Sequence, residues 1–153
     1  VRANRLICAD TTGGNFVTLF YARLNPADNQ IVYINAGHNP PLFYHRSAHA
    51  PHGHLGRLGR TGMALGVDVE STYDEHILKF HPGDFLVLYT DGVTDALDAL
   101  GHEFGMENLE RLILAHCNAP AAEMLAALEQ AVKDFSGEVA PFDDITIMIV
   151  KRK

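Results

Sequence analysis

The hydrophobic period of this 153-residue chain changes at Asp91-Gly92, and that change constrains the fold more than any other feature. Before it, apolar residues come in short runs separated by Gly, Pro, Asn and Asp. After it, Leu109, Leu112 and Ile113 fall on one helical face, and Ala121, Met124, Leu125, Leu128, Val132 and Phe135 mark a longer stripe at i, i+3, i+4, i+7 spacing. The run directly before the change, Phe85 to Thr90, is almost continuously apolar, as in a strand buried on both faces or at a sheet centre.

Upstream, Asn15 to Arg23 and Ile31 to Asn35 read as strands joined through Asn25-Pro26-Ala27-Asp28-Asn29, most simply an antiparallel hairpin. Leu42 to His45 resumes the strand pattern after Pro40-Pro41, and Thr72 to Phe80 has strand character before the turn Pro82-Gly83-Asp84. Residues 47–61, rich in Gly, His and Arg, read as an exposed loop. Val1 to Cys8 could be the last turns of a helix, Pro120 suits the first turn of the second long helix, Ser136-Gly137 ends it, and Ile145 to Val150 closes the chain as a strand. The expected class is α+β, a layered sandwich of mainly antiparallel sheets with flanking helices, over a single domain spanning 1–153.

Nineteen Asp plus Glu against twelve Lys plus Arg give a formal charge of -7, which argues against a nucleic-acid partner. Cys8 and Cys117 follow no zinc or disulfide spacing and read as small core hydrophobes in a reducing cytoplasm. No apolar run approaches the ~20 residues of a membrane span. The chain opens Val-Arg-Ala-Asn without an initiator Met, which suggests a piece of something longer.

Chemistry is expected where acids border apolar strands. Asp91 follows Phe85 to Thr90, and Asp143-Asp144 precede Ile145 to Val150. If those strands are neighbours, the carboxylates meet on one rim, where hard oxygen donors suit Mg or Mn and repel one another without it. The same residues also suit ordinary turn roles. His45, His49, His52 and His54 crowd one segment that offers little to hold a metal rigidly, and a zinc-binding accessory role for it is the weakest alternative. His38, with Asn39 beside it in a constrained turn, either orients a substrate or caps the turn, the second being the simpler reading.

Several motifs occur in a recognisable order: Phe16 to Tyr21, Asn35-Ala36-Gly37-His38-Asn39-Pro40-Pro41, Gly62-Met63-Ala64-Leu65-Gly66, Pro82-Gly83-Asp84, Leu88 to Ala96 with Thr90-Asp91-Gly92 at its centre, Phe104-Gly105 and Asp143-Asp144-Ile145-Thr146. Together they resemble the stage II sporulation protein E branch of the bacterial metal-dependent (PPM-type) serine/threonine phosphatases, over nearly the whole chain. The resemblance implies two Mn or Mg ions in a cleft at the sheet edge and a metal-bridging water that attacks phosphorus. It makes Asp91 and Asp143 metal ligands, with Asp144 behind them or substituting. It also implies a phosphorylated anti-anti-sigma (STAS-type) protein as substrate and an N-terminal sensor or receiver region.

The family's Gly-Asp-x-x-Asp strand and Asp-x-Ser-Gly-His-Gly loop are absent from these residues, and Asp95 stands where the family often has Glu. The expectation is therefore an N-terminally incomplete domain, weak in metal binding and poor in activity by itself, with a sheet edge and an apolar face uncovered and prone to dimerise. The alternative is a degenerate, non-catalytic module that binds a regulatory protein.

Overall fold

A computed structural model describes residues 2–10, 14–47, 53–141 and 143–153. The chain divides into two compact units, Val1–Pro40 with Leu58–Phe80, and Pro41–Arg57 with His81–Lys153.

Unit one opens with helix α1 (Arg2–Asp10), followed by strands β1 (Leu19–Asn25) and β2 (Gln30–Ala36). These form the expected hairpin, with Leu19 opposite Ala36 and Asn25 opposite Gln30. Its turn places Asn29 at φ 54, a left-handed conformation that Asn tolerates better than most residues. The alternation of a half-buried strand is plain in β2, whose Ile31, Tyr33 and Asn35 are buried while the residues between them are not. The other face of β2 pairs in sequence with a strand far downstream, His76–Lys79, so the sheet runs β1, β2, then that strand. Thr72 to Phe80 is thus a strand only in its second half. Asn4, fully buried in α1, donates from its amide to the Asp68 carbonyl at 2.8 Å and accepts from the Gly66 amide at 2.9 Å, which ties the helix to the 66–69 loop.

Unit two holds strand β3 (Leu42–His45), then β4 (His54–Arg57), and, after the His76–Lys79 strand (β5) of unit one, β6 (Phe85–Tyr89) and β7 (Ile147–Lys151). They form an antiparallel sheet in the order β4, β3, β6, β7. Strand β6 is internal to it, and Phe85, Leu86 and Val87 are at most 1% exposed, as the unbroken apolar run requires. Between β6 and β7 come a one-turn helix α2 (Asp91–Thr94) and helices α3 (Gly105–Ala115) and α4 (Ala121–Ser136). Leu109, Ile113, Met124, Leu128 and Val132 from the helices pack with Leu42, Tyr44, Phe85 and Val87 in one core, where Tyr44 stacks on Phe85 at 4.6 Å. Pro120 takes the N-cap position, one residue ahead of the expected first turn, with an extended ψ of 151. Leu128 is 1% exposed, so Leu128→Ala is expected to cost about 2–5 kcal/mol, read as a lower urea midpoint at unchanged slope.

Residues 47–61 are not a loop throughout. His54–Arg57 is β4, paired with β3 from Leu42 opposite Arg57 to His45 opposite His54, and Leu58 is buried. Its four residues lack the β-branched signature, and the pairing comes from β3. Gly53 makes the approach possible: a Cβ there would lie 2.4 Å from the Tyr44 ring, and its φ of 62 is glycine's region. His49 and His52 lie outside the described residues.

Unit one leaves Phe16, Tyr21 and Ile77 more than half exposed, in keeping with the expected uncovered apolar surface. Among the described residues no helix is long and apolar enough to cross a membrane.

Candidate functional site

Antiparallel pairing of β6 with β7 sets Tyr89 opposite Ile147, so the residue after β6 and the residues before β7 emerge at one end of the sheet. Asp91 and the pair Asp143 and Asp144 therefore share a lip within unit two, as the strand borders suggest, and all three are exposed. The lip is fastened by Thr90. Its amide donates to the Thr146 carbonyl at 3.1 Å, its hydroxyl donates to the Asp144 carbonyl at 2.8 Å, and the Thr146 amide donates to that hydroxyl at 2.9 Å. One side chain thereby replaces a rung of backbone pairing just where the strands part.

Gly92 completes the junction. A Cβ on it would lie 2.6 Å from the Asp144 carbonyl oxygen and 3.1 Å from that of Asp143, so only glycine lets the two segments run this close. Asp91 begins α2, and its carbonyl accepts from the Asp95 amide at 2.8 Å and the Thr94 hydroxyl at 3.1 Å. Asp143 Oδ1 accepts from the Asp144 amide at 2.7 Å, which fixes one carboxylate oxygen toward its own backbone. Behind the lip, Tyr89 donates its hydroxyl proton to Met106 Sδ at 3.2 Å, and burial, ahead of the neighbouring charges Arg57 and Glu110, holds its pKa above the ordinary phenol value.

Carboxylates are the right donor chemistry for Mg or Mn. Yet among the described residues no three His, Cys, Asp or Glu side chains converge as a metal site. Asp91, Asp143 and Asp144 therefore share one end of the sheet without forming a three-carboxylate cluster.

His38 belongs to unit one. Its backbone amide donates to Asn35 Oδ1 at 2.9 Å and its ring Nδ1 lies 3.2 Å from the Thr18 hydroxyl. The organiser of this turn is Asn35, which is fully buried. Its amide side chain donates to the Leu58 carbonyl at 3.0 Å, its backbone N–H donates to the Thr61 hydroxyl at 3.0 Å, and its carbonyl accepts from the Thr61 amide at 2.9 Å. Gly37, at φ 74, lets the turn pass Ala64, and Asn39 follows it half-buried. His38 is thus tied into the turn by its backbone amide, while its ring nitrogen faces Thr18 on the segment before β1.

Of the histidine-rich segment, His45 is committed to Asp84, with Nδ1 3.1 Å from the carboxylate, and His54 lies opposite it on β4. Both cysteines are free, and Cys117 is part of the core. Thr90, Gly92 and Asn35 stand in the sequence motifs, but nothing local gives them these roles. A Thr-Asp-Gly step at a strand end, with a second Thr before the last strand, is the signal that points to the clasp.

Comparison with known proteins adds the wider context. A family model described as Stage II sporulation protein E (SpoIIE) matches residues 1–153. Protein IcfG of Synechocystis is 35% identical over 137 residues, covering 90% of this chain and 21% of that protein. Phosphoserine phosphatase RsbU of Bacillus subtilis is 27% identical over 150 residues, covering 98% of this chain and 43% of that protein. Among solved structures, the SiaA-PP2C domain of Pseudomonas aeruginosa matches with a TM-score of 0.72 at 21% identity, over 88% of this chain and 51% of that one. The chain thus spans less than half the length of these two curated relatives. The structural likeness shows the α+β fold of antiparallel sheets and helices expected from the sequence.

Proposed function

Because the chain belongs to the stage II sporulation protein E (SpoIIE) family, we propose that it is part of a phosphoprotein phosphatase acting on phosphoserine or phosphothreonine. The observation that carries this reading is the shared lip of Asp91, Asp143 and Asp144, held together by Thr90 and Gly92. The relative named a phosphoserine phosphatase, RsbU, supports it. Both units would belong to one PPM-type domain, since the family model runs across both.

In this proposal Asp91 and Asp143 each offer carboxylate oxygens to Mn or Mg, and Asp144 braces the lip or substitutes as a ligand. The bound ions would supply charge to the phosphoryl oxygens and acidify an attacking water. The remaining donors would come from parts of the full protein outside these 153 residues. The chain's own contribution is positional: Thr90 and Gly92 hold the two carboxylate-bearing segments at fixed spacing, and His38 with Asn39 shapes a turn in unit one. The substrate would be a phosphorylated regulatory protein of the anti-anti-sigma (STAS) type in the cytoplasm, with a sensor or receiver region upstream, and the uncovered sheet edge of these residues would dispose them to dimerise.

The test is phosphate release from a phosphoserine protein by the full-length polypeptide, with Mn or Mg and with EDTA. Asp91→Asn is expected to lower the rate at least ~100-fold, since even residues that only orient metal ligands cost 10–100-fold. The lack of a three-donor set among the described residues favours one competing reading, a non-catalytic module that binds the regulator. Full-length protein that binds the phosphoprotein but releases no phosphate with either metal would establish that reading instead.

A further inference from the structure

At the far end of β6 and β7 from the carboxylate lip, unit two contains a cavity of about 310 Å³. Arg46, Asn118, Lys151, Arg152 and Lys153 border it around the Pro82-Gly83 turn, and no Asp or Glu side chain lines it. In a molecule of net charge -7 with twelve Lys and Arg, four of those twelve meet at this one place. Strand β6 alone separates the two ends by about 13 Å, at ~3.3 Å per residue.

These cations are held by the fold. Asp84 is fully buried, and its carboxylate accepts from the backbone amides of Arg46 at 2.8 Å and His81 at 2.7 Å, so it faces into the turn and does not line the cavity. The backbone of Asp84 accepts from the Arg152 amide at 2.9 Å, and the Gly83 amide donates to the Arg152 carbonyl at 2.9 Å. Lys151 donates from Nζ to the carbonyls of Cys117 and Ala119, each at 2.7 Å, and stands 5.2 Å above the Phe85 ring. The backbone that carries Arg46 and Arg152 is thus fixed, and the Lys151 side chain, anchored in place, loses little entropy on meeting a ligand.

We propose that this cavity binds a phosphate-type oxyanion, carried either by free phosphate or by a phosphorylated side chain, at a site separate from the carboxylate lip. Guanidinium and ammonium groups around a concave surface are the groups that recognise such oxygens. Burial pushes the Lys151 pKa down, with Cys117 raising it and Arg46 lowering it to lesser degrees, and the negative charge of a bound anion would favour the ammonium form. The site does not depend on the phosphatase reading, because a non-catalytic module would contain it equally.

Calorimetric titration of the full-length protein, with Asp91→Asn in the background and EDTA present, separates this site from the lip. Inorganic phosphate and a phosphoserine peptide are titrated at constant ionic strength, with chloride as the control anion. Saturable 1:1 binding is expected, weakened about tenfold or more by Arg46→Gln combined with Lys153→Gln, a change of ~1.4 kcal/mol. Amide shifts should cluster at Gly83, Asn118 and Lys153, and unchanged far-ultraviolet circular dichroism would show that the double variant folds. Tighter binding of the peptide would assign the site to a phosphorylated partner, and binding of phosphate alone to the free ion. Affinity that the double variant leaves intact, shifts that cluster at Asp91 and Asp143, or no saturation by about 10 mM would overturn the proposal. With Asp91 restored, the double variant should still hydrolyse a small aryl phosphate, so loss of that activity in Asp91→Asn alone reports only on the phosphatase reading.

Discussion

Replacing Asp84 with Ala is expected to destabilise unit two by about 2–5 kcal/mol, the scale of losing two hydrogen bonds to a charged acceptor. Asp84 is 0% exposed, and its carboxylate serves three groups: the amides of Arg46 and His81 and the His45 ring. Without it, each amide loses a charged acceptor, at about 1.5–3 kcal/mol apiece. The measurement is the urea midpoint followed by the tyrosine signal, with Asp84→Asn as comparison. The amide variant keeps one acceptor oxygen but turns donors toward donors, so its midpoint should fall between the other two. An Ala variant as stable as the parent would show that the turn holds through its backbone bonds alone. In native-state hydrogen exchange, Arg46 and His81 amides should lose protection before the amides of β6 do.

The second large effect is expected at Gly92. Substitution by Val should abolish phosphate release by the full-length protein, with a loss beyond ~100-fold, because a displacement of about 1 Å at reacting groups already costs that much. The atoms that a Cβ would meet at 2.6 and 3.1 Å are main-chain carbonyls of Asp144 and Asp143, not flexible side-chain ends. They can yield only by moving the carboxylate-bearing segment itself. Gly92→Ala should show the same effect in weaker form, and Thr90→Val should resemble it by removing the hydroxyl that joins Asp144 to Thr146. Parent-like turnover in Gly92→Val would mean that the lip is not where chemistry occurs. A melting curve for each variant separates a displaced lip from an unfolded unit.

Some of this was legible from residue types alone. The two helical stripes carry the helical period, the β1–β2 hairpin is marked by its cluster of turn residues, and the apolar run of β6 reads as a strand from its short length between turn signals. That Asp91 and the Asp143-Asp144 pair lie toward the same end of one strand pair followed from placing acids at strand borders, given that β6 and β7 are neighbours. What escaped were residues whose roles depend on a distant partner. Strand β4, His-Leu-Gly-Arg, carries no strand signal and exists because β3 pairs with it. Asp84 reads as an ordinary Pro-Gly-Asp turn residue, and nothing local tells that its carboxylate is enclosed. Asn35 lies in an alternating strand at a position where an apolar residue would be the simple choice. Its side chain instead bonds to Leu58, which is 23 residues away. Polar residues at core positions are therefore the places where local pattern and folded structure part company.

Asp91, Asp143 and Asp144 lie toward one end of the β6–β7 pair, and Arg46, Lys151, Arg152 and Lys153 toward the other. Together these charges contribute to unit two a dipole along its own strands. An acidic macromolecule drifting near it exerts a torque before any atoms touch, turning the lysine and arginine pole forward and the aspartate pole away. Such steering fades over about 8 Å in physiological salt, so the angle of first encounter should be set by ionic strength as much as by shape.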